Sequence, residues 1–214
     1  MQKLSGILIL VFLFIKSVVF SQDALKYYPV SNLHEIEQKL AANSAKINSI
    51  KSDFIQEKHL EFLNDTIITK GKFWFQKENF LRWEYTSPFK YIIVINNGKF
   101  IVKDEDKVSE FDINSNKAFQ QVNNLIISSV KGSLMEENMF EIKAFKNETT
   151  YLLALVPKDI NMKNVLNKIE LYFDAETLDV IKVKMIENEQ DYTIISFINK
   201  KYNETIPTST FIVN

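Results

Sequence analysis

From Ile50 onward apolar and polar residues alternate with a period of two, in one short run after another. Side chains on a strand point alternately to opposite sides, so this pattern fits β-strands that share one apolar face. The runs fall at 50–60, 66–77, 80–86, 90–96, 99–103 and 108–112, and again at 139–146, 150–156, 167–174, 179–187 and 191–202. Asn, Asp, Gly and Lys punctuate them. Asn97-Gly98, between YIIVIN and KFIVK, suits a tight turn with positive φ at both central residues. That turn places Ile95 opposite Phe100 and Ile93 opposite Val102.

Two segments depart from the strand period. Asn32 and Glu35 have capping-box spacing, and Leu33, Ile36, Leu40 and Ile47 follow at helical intervals, which predicts an amphipathic helix over 32–48. In 116–131, Phe119, Val122, Leu125, Ile126 and Val130 recur at helical spacing ahead of Gly132, a suitable C-terminal cap. The expected fold is mainly β (α+β): a single curled antiparallel sheet, an incomplete β-barrel, with an N-terminal helix and a helical lid over the concave face. There is no internal repeat, low-complexity tract or Pro/Gly-rich linker, so residues 22–214 are expected to form one domain.

The stretch GKFWFQKENFLRWEY, residues 71–85, is dense in aromatics. Phe73, Phe75, Leu81, Trp83 and Tyr85 share one parity across two strands, while Lys70, Lys72, Trp74, Gln76, Arg82 and Glu84 take the other. One face is apolar and the other mostly wet. Trp74 on the wet face can be stacked by Arg82 across the hairpin as a surface cation–π pair. The apolar face has two readings, an ordinary β-core or the wall of a lipid-sized cavity.

Composition narrows the chemistry. Lys3, the apolar stretch Gly6–Ile15 and Val19-Phe20-Ser21 read as an export signal over 1–21, cleaved near Ser21/Gln22. Lys16 interrupts that stretch before it reaches the roughly 20 apolar residues of a membrane span. The absence of cysteine removes disulfides, zinc-thiolate sites, a cysteine nucleophile and a lipid-modified cysteine. With 26 basic and 27 acidic residues, bulk charge does not steer the chain toward nucleic acid. Only His34 and His59 are available for acid–base chemistry or metal ligation. Glu57-Lys58-His59 reads as a solvated strand end and Asp104-Glu105-Asp106 as a hairpin loop. No catalytic residue, metal or cofactor is expected.

The combination Phe54-Ile55-Gln56, Gly71 to Phe75, Leu81 to Pro88 and Asn97-Gly98 resembles the LolA family of periplasmic lipoprotein carriers, and the resemblance continues through KIELYFDAETLDVIKVKMIE and TIISFINKKYNETIPTSTF. It implies an incomplete antiparallel barrel closed by a helical lid, whose cavity shields acyl chains of lipoproteins moving from inner to outer membrane. On that reading the cavity wall is Phe54, Phe73, Phe75, Leu81, Trp83, Tyr85, Ile93, Ile95 and Phe100, with Leu81 at the mouth, and the lid carries Phe119, Val122, Leu125 and Ile126. Lys77 matches the position of the family's basic lid latch, which is arginine in the best-known carriers; lysine lacks the planar fork of donors. The implied partners are acylated lipoproteins or lipids, an inner-membrane releasing transporter and an outer-membrane acceptor, with the carrier itself a monomer. Two other classes remain open: a non-catalytic lipoprotein sensor, and an enzyme on the same fold acting on hydrophobic aromatic substrates.

Overall fold

The computed structural model describes residues 26–63, 65–77, 79–96, 98–112 and 139–213. The expected export signal, Asn97, and the expected lid helix with Phe119, Val122, Leu125 and Ile126 lie outside the described residues.

Helix α1 (Leu33–Ala45) begins where the capping pattern places it, with Asn32 Oδ1 accepting the Glu35 N–H at 3.2 Å. The strands are β1 (Tyr28–Pro29), β2 (Ser49–His59), β3 (Ile67–Gln76), β4 (Phe80–Ser87), β5 (Tyr91–Asn96), β6 (Lys99–Asp104), β7 (Lys107–Asp112), β8 (Phe140–Lys146), β9 (Thr150–Pro157), β10 (Lys168–Asp174), β11 (Val180–Ile186) and β12 (Tyr192–Tyr202). They form one antiparallel sheet in the order β1-β8-β9-β10-β11-β12-β2-β3-β4-β5-β6-β7. The long strand β12 returns beside β2, pairing Phe197 with Phe54, and so joins the two runs of hairpins in mid-sheet. Edge strands β1 and β7 do not pair with each other, so the sheet stays open. Pro29 ends β1, where its missing N–H costs no ladder bond. Register shifts beside Gly71, Phe173 and Asn199 interrupt the ladders, and such irregularities increase twist and curl.

The expected hairpin pairs Ile95 with Phe100 and Ile93 with Val102, and Gly98 has φ +75°. One apolar side of the sheet, the inner face, runs across all of it. Over β8–β10, Ile36 and Leu40 of α1 pack on Phe140, Ala144, Leu153, Leu155, Ile169 and Leu171. Over β2–β6 and β12 the packed residues, among the described ones, are all strand residues: Phe54, Phe73, Phe75, Leu81, Ile95, Phe100 and Ile195, with Trp83, Tyr85, Ile93 and Phe197 around them.

The outer face differs from the mostly wet surface that residues 70–84 suggested. After β12 the chain crosses beneath β3–β6, and Ile206 and Phe211, the latter in a 3-10 turn (Thr208–Phe211), close a second core on Val94, Trp74, Phe80, Ile92 and Ile101. The reason is written in YIIVIN, which is apolar at both parities and therefore needs cover on both sides. Arg82 does lie over Trp74, 5.9 Å from the ring, but its Nη1 also donates to the Thr210 carbonyl and its Nε to Glu84. Asn96 Nδ2 donates to the Phe211 carbonyl. The pair expected at the surface is part of the clasp that holds the C-terminal segment down.

Phe211 is buried and stacks near Phe80 with ring centroids 5.5 Å apart. Phe211→Ala is expected to cost about 3–5 kcal/mol in urea unfolding, as for a large-to-small change in a core. Ile212→Ala, at an exposed position next door, should fall within about 0.5 kcal/mol of the parent.

Candidate functional site

The aromatic half of the inner face is assembled around a glycine. Gly71 on β3 lies between Phe54 on β2 and Tyr85 on β4. A Cβ at Gly71 would collide with the Glu84 carbonyl oxygen and come within 2.6 Å of the Phe54 ring. Only glycine lets Phe54 lie flat across β3 and reach β4. Its centroid is then 4.6 Å from Trp83 and 5.3 Å from Tyr85. Trp83 also meets Phe73 at 5.4 Å and Phe197 at 5.9 Å, both edge-on. Such pairs add about 0.5–1.5 kcal/mol each beyond the area they bury. The result is a rigid aromatic bed spanning β12, β2, β3 and β4.

Nine expected wall residues, Phe54, Phe73, Phe75, Leu81, Trp83, Tyr85, Ile93, Ile95 and Phe100, all belong to this one cluster. They do not stand equally open. Phe75, Leu81 and Ile95 form its floor at the end near Lys77, and Leu81 is only 1% exposed, so it is not open at a mouth. The register explains this: Leu81 is opposite Phe75 on one side and Ile95 on the other, and both bulky neighbours close over it. Trp83, Tyr85 and Ile93 are half-buried and form the accessible surface.

The bed is not wholly apolar. The Tyr85 hydroxyl donates to Gln56 Oε1 at 3.0 Å. Burial raises the Tyr85 pKa above its ordinary value, while the neighbouring Trp83 N–H and Gln56 work in the opposite direction. The indole N–H and the phenol oxygen are near neighbours that fall short of hydrogen-bond geometry. Trp83 Nε1 is thus buried with no hydrogen-bond partner, and so is Thr69 Oγ1 on β3. A buried polar group left unsatisfied costs about 1–3 kcal/mol. The sequence signals an aromatic wall here; it carries no sign that one indole N–H would be stranded in it.

One end of the sheet bears an apolar rim. The β2–β3, β4–β5 and β9–β10 connections all emerge at that end and expose Phe62, Leu63, Phe89, Ile160 and Val165, with Phe62 79% exposed. Sequence reading missed this rim, although LEFLN between two strands was a visible cue.

Lys77 stands at the opposite end. Its Nζ donates to the Ala45 carbonyl at 2.8 Å, and its backbone N–H donates to the Asn48 carbonyl. The Asn203 side chain donates to the Lys46 carbonyl. Lys77 therefore touches the last carbonyl of α1, where the helix dipole favours a cation. His34 sits on exposed α1 beside Glu37 and Gln38, whereas His59 stacks on Tyr192 at 4.4 Å and meets Thr66. The two are on different elements. Among the described residues there is no group of acidic and histidine side chains that could hold a metal, and no helix long and apolar enough to cross a membrane.

Residues 45–214 match the family described as outer membrane lipoprotein carrier protein LolA. No curated protein matches the sequence. Among solved structures, MucB is 13% identical with a TM-score of 0.52; the match covers 86% of this chain and 64% of that one. An uncharacterized conserved protein from Thermus thermophilus is 8% identical with a TM-score of 0.51, covering 83% of this chain and 91% of its own. At such identities the likeness is one of fold. The family match over 45–214, set on an open antiparallel sheet with one N-terminal helix, establishes that this chain belongs to the LolA family.

Proposed function

We propose that the chain is a periplasmic carrier that takes acyl chains of lipoproteins, or of related lipids, onto its aromatic inner face and moves them from the inner to the outer membrane. The observation that carries this reading is the unequal cover of the inner face: α1 packs on β8–β10, whereas the β2–β6 half packs strand residues alone among the described residues. An acyl chain suits such a surface because each methylene removed from water contributes about 0.8 kcal/mol without demanding a directional contact. Segment 116–131 would serve as the lid, with Phe119, Val122, Leu125 and Ile126 facing the cavity. A releasing transporter and an acceptor at the two membranes complete the route, and the apolar rim is the natural end for cargo to pass. Purification from a gram-negative host followed by lipid extraction tests the reading. Acyl-bearing ligand should copurify, and the protein should keep an acylated protein in solution but give no benefit to its unacylated form. Lack of both effects would refute the carrier; turnover of a small aromatic substrate would favour the enzyme instead.

The wall is best tested at Ile93, between Trp83 and Val102 on the accessible part of the bed. A carboxylate at buried Leu81 would strike the core itself and confuse loading with folding. Ile93→Glu is expected to lower affinity for an acylated peptide at least tenfold with the strand content of the circular dichroism spectrum retained. Ile198→Glu, exposed on the outer face of β12, should bind like the parent.

Lys77 fastens α1 to the β3–β4 hairpin, and we assign it the latch that sets how readily the cover over the inner face moves. Lys77→Leu should lose about 0.3–1 kcal/mol of support at the helix end. Amide exchange should quicken in residues 43–46, and bound lipid should pass more slowly to acceptor membranes because the closed, empty form is weakened. Unchanged exchange together with unchanged release would make Lys77 an ordinary surface residue.

A further inference from the structure

Three connections at the rim each hold apolar side chains out into solvent, and each is fastened at its base. Asp191 Oδ1 accepts the Glu61 N–H at 2.7 Å and the Leu63 N–H closes on the Leu60 carbonyl, so the loop that exposes Phe62 is tied down on both sides. Phe89 leans on Tyr85 with ring centroids 5.9 Å apart. In the β9–β10 connection Asp159 Oδ1 accepts the Met162 N–H, while Met162 and Leu166 pack on the core beneath α1. Ile160 and Val165 are left outside, 67% and 71% exposed. The opposite end is built differently. There the turns after β8 and β10 are closed by Asn147 and Asp174 side chains accepting backbone N–H groups, and they expose no large apolar residue.

The apolar points do not form one continuous patch. β11 and β12 stand between β10 and β2, so Ile160 and Phe62 are carried by strands about 14 Å apart along the sheet. A protein partner would need matching hollows at those separations. A bilayer interface needs none, because headgroups and acyl chains flow around each point. Charge then selects the bilayer. Within the three loops Lys90, Lys158 and Lys163 balance Glu61, Asp65 and Asp159. The other two hairpins at this end are acidic, with Asp104, Glu105 and Asp106 ahead of β7 and Glu187, Glu189 and Asp191 ahead of β12. Lys107 and Lys58 offset two of those six. An anionic surface would repel this end at distances within a Debye length, about 10 Å at moderate salt.

We infer that the rim is a membrane-contact surface whose exposed side chains enter the interface of a zwitterionic phospholipid bilayer. Phe62 and Phe89 suit the depth of the headgroups, where aromatic side chains gather, and Ile160 and Val165 add apolar area. The acidic hairpins beside them turn the same end away from bilayers rich in anionic lipid. The contact needs no cargo on the inner face, so it stands or falls apart from the carrier reading.

The purified chain is sedimented with vesicles of phosphatidylcholine, and with vesicles of phosphatidylcholine and phosphatidylglycerol in equal parts. Binding to the neutral vesicles is expected, and raising salt should leave it unchanged. Binding to the mixed vesicles should be weaker at low salt and recover as salt screens the repulsion. Phe62→Ser combined with Ile160→Ser should lower the partition onto neutral vesicles about tenfold with the urea midpoint unchanged, because both side chains are already in water. Ile198→Ser, exposed on the outer face of β12, should partition like the parent. Absence of binding to neutral vesicles overturns the inference, and so does binding that the double substitution leaves intact. Binding that requires phosphatidylglycerol and fades with salt overturns it as well, since that is adsorption through lysines elsewhere. Self-association in sedimentation velocity that the double substitution abolishes, without vesicle binding, would assign the rim to a second copy of the chain instead.

Discussion

The missing side chain at Gly71 is the contact on which the inner face depends. Strand β3 must approach β4 closely enough for the Glu84 carbonyl to occupy the space of a Cβ, and Phe54 must cross above the same point. Glycine within a strand ordinarily weakens it, through backbone entropy and lost packing. Here an aromatic ring from the neighbouring strand covers the gap and returns much of that loss. Through Phe54 the gap sets the positions of Trp83 and Tyr85, and through Trp83 those of Phe73 and Phe197. A single absent methyl group thus organises side chains from four strands.

The two faces of the β3–β5 region are coupled by the same strands. Trp83 and Tyr85 point inward from β4, while Arg82 and Glu84 between them point outward and hold the C-terminal clasp. Val94 is sealed on the outside by Ile206 and Phe211, directly behind Ile93 and Ile95. If the bed takes variable cargo, as proposed, its backbone must not give, and a second core on the reverse side supplies that stiffness. The β8–β10 half has a different solution: α1 covers its inner face, and its outer face carries polar and charged ladders such as Lys168–Glu170 and Lys182 over Tyr172.

Much of this was legible in the sequence, because period-two patterning and turn chemistry are local. The predicted runs match β2–β12 with no end shifted by more than one residue, the Asn32 cap forms, and the nine residues expected to form a wall share one face. What escaped were features fixed by distant partners. The clasp of Phe211 on Phe80 joins segments far apart in sequence, and Trp74 reads as surface until the C-terminal segment arrives above it. Leu81 has the same parity as Trp83, so alternation could not tell floor from open wall; the depth is set by Phe75 and Ile95 on flanking strands. β1 is too short, at two residues, to carry a period at all.

The energetics of carriage place most of the selectivity on polar points. About fifteen methylenes leaving water contribute about 12 kcal/mol in gross terms. A bilayer offers the same chain an apolar environment of similar worth, so this large term nearly cancels between carrier and membrane. Direction and choice of cargo must then come from smaller terms that the two environments do not share. On the proposed reading, the described candidates in this chain are the Lys77 hold on the last carbonyl of α1 and the polar groups set within the wall, such as Tyr85 and Gln56. Each is worth on the order of 1 kcal/mol, which is small against binding but commensurate with a two-state balance that a partner at either membrane can tip. The apolar term alone would leave a lipid with no preference between carrier and membrane. On the proposed reading, the sparse polar contacts in an otherwise greasy bed would make release as accessible as capture.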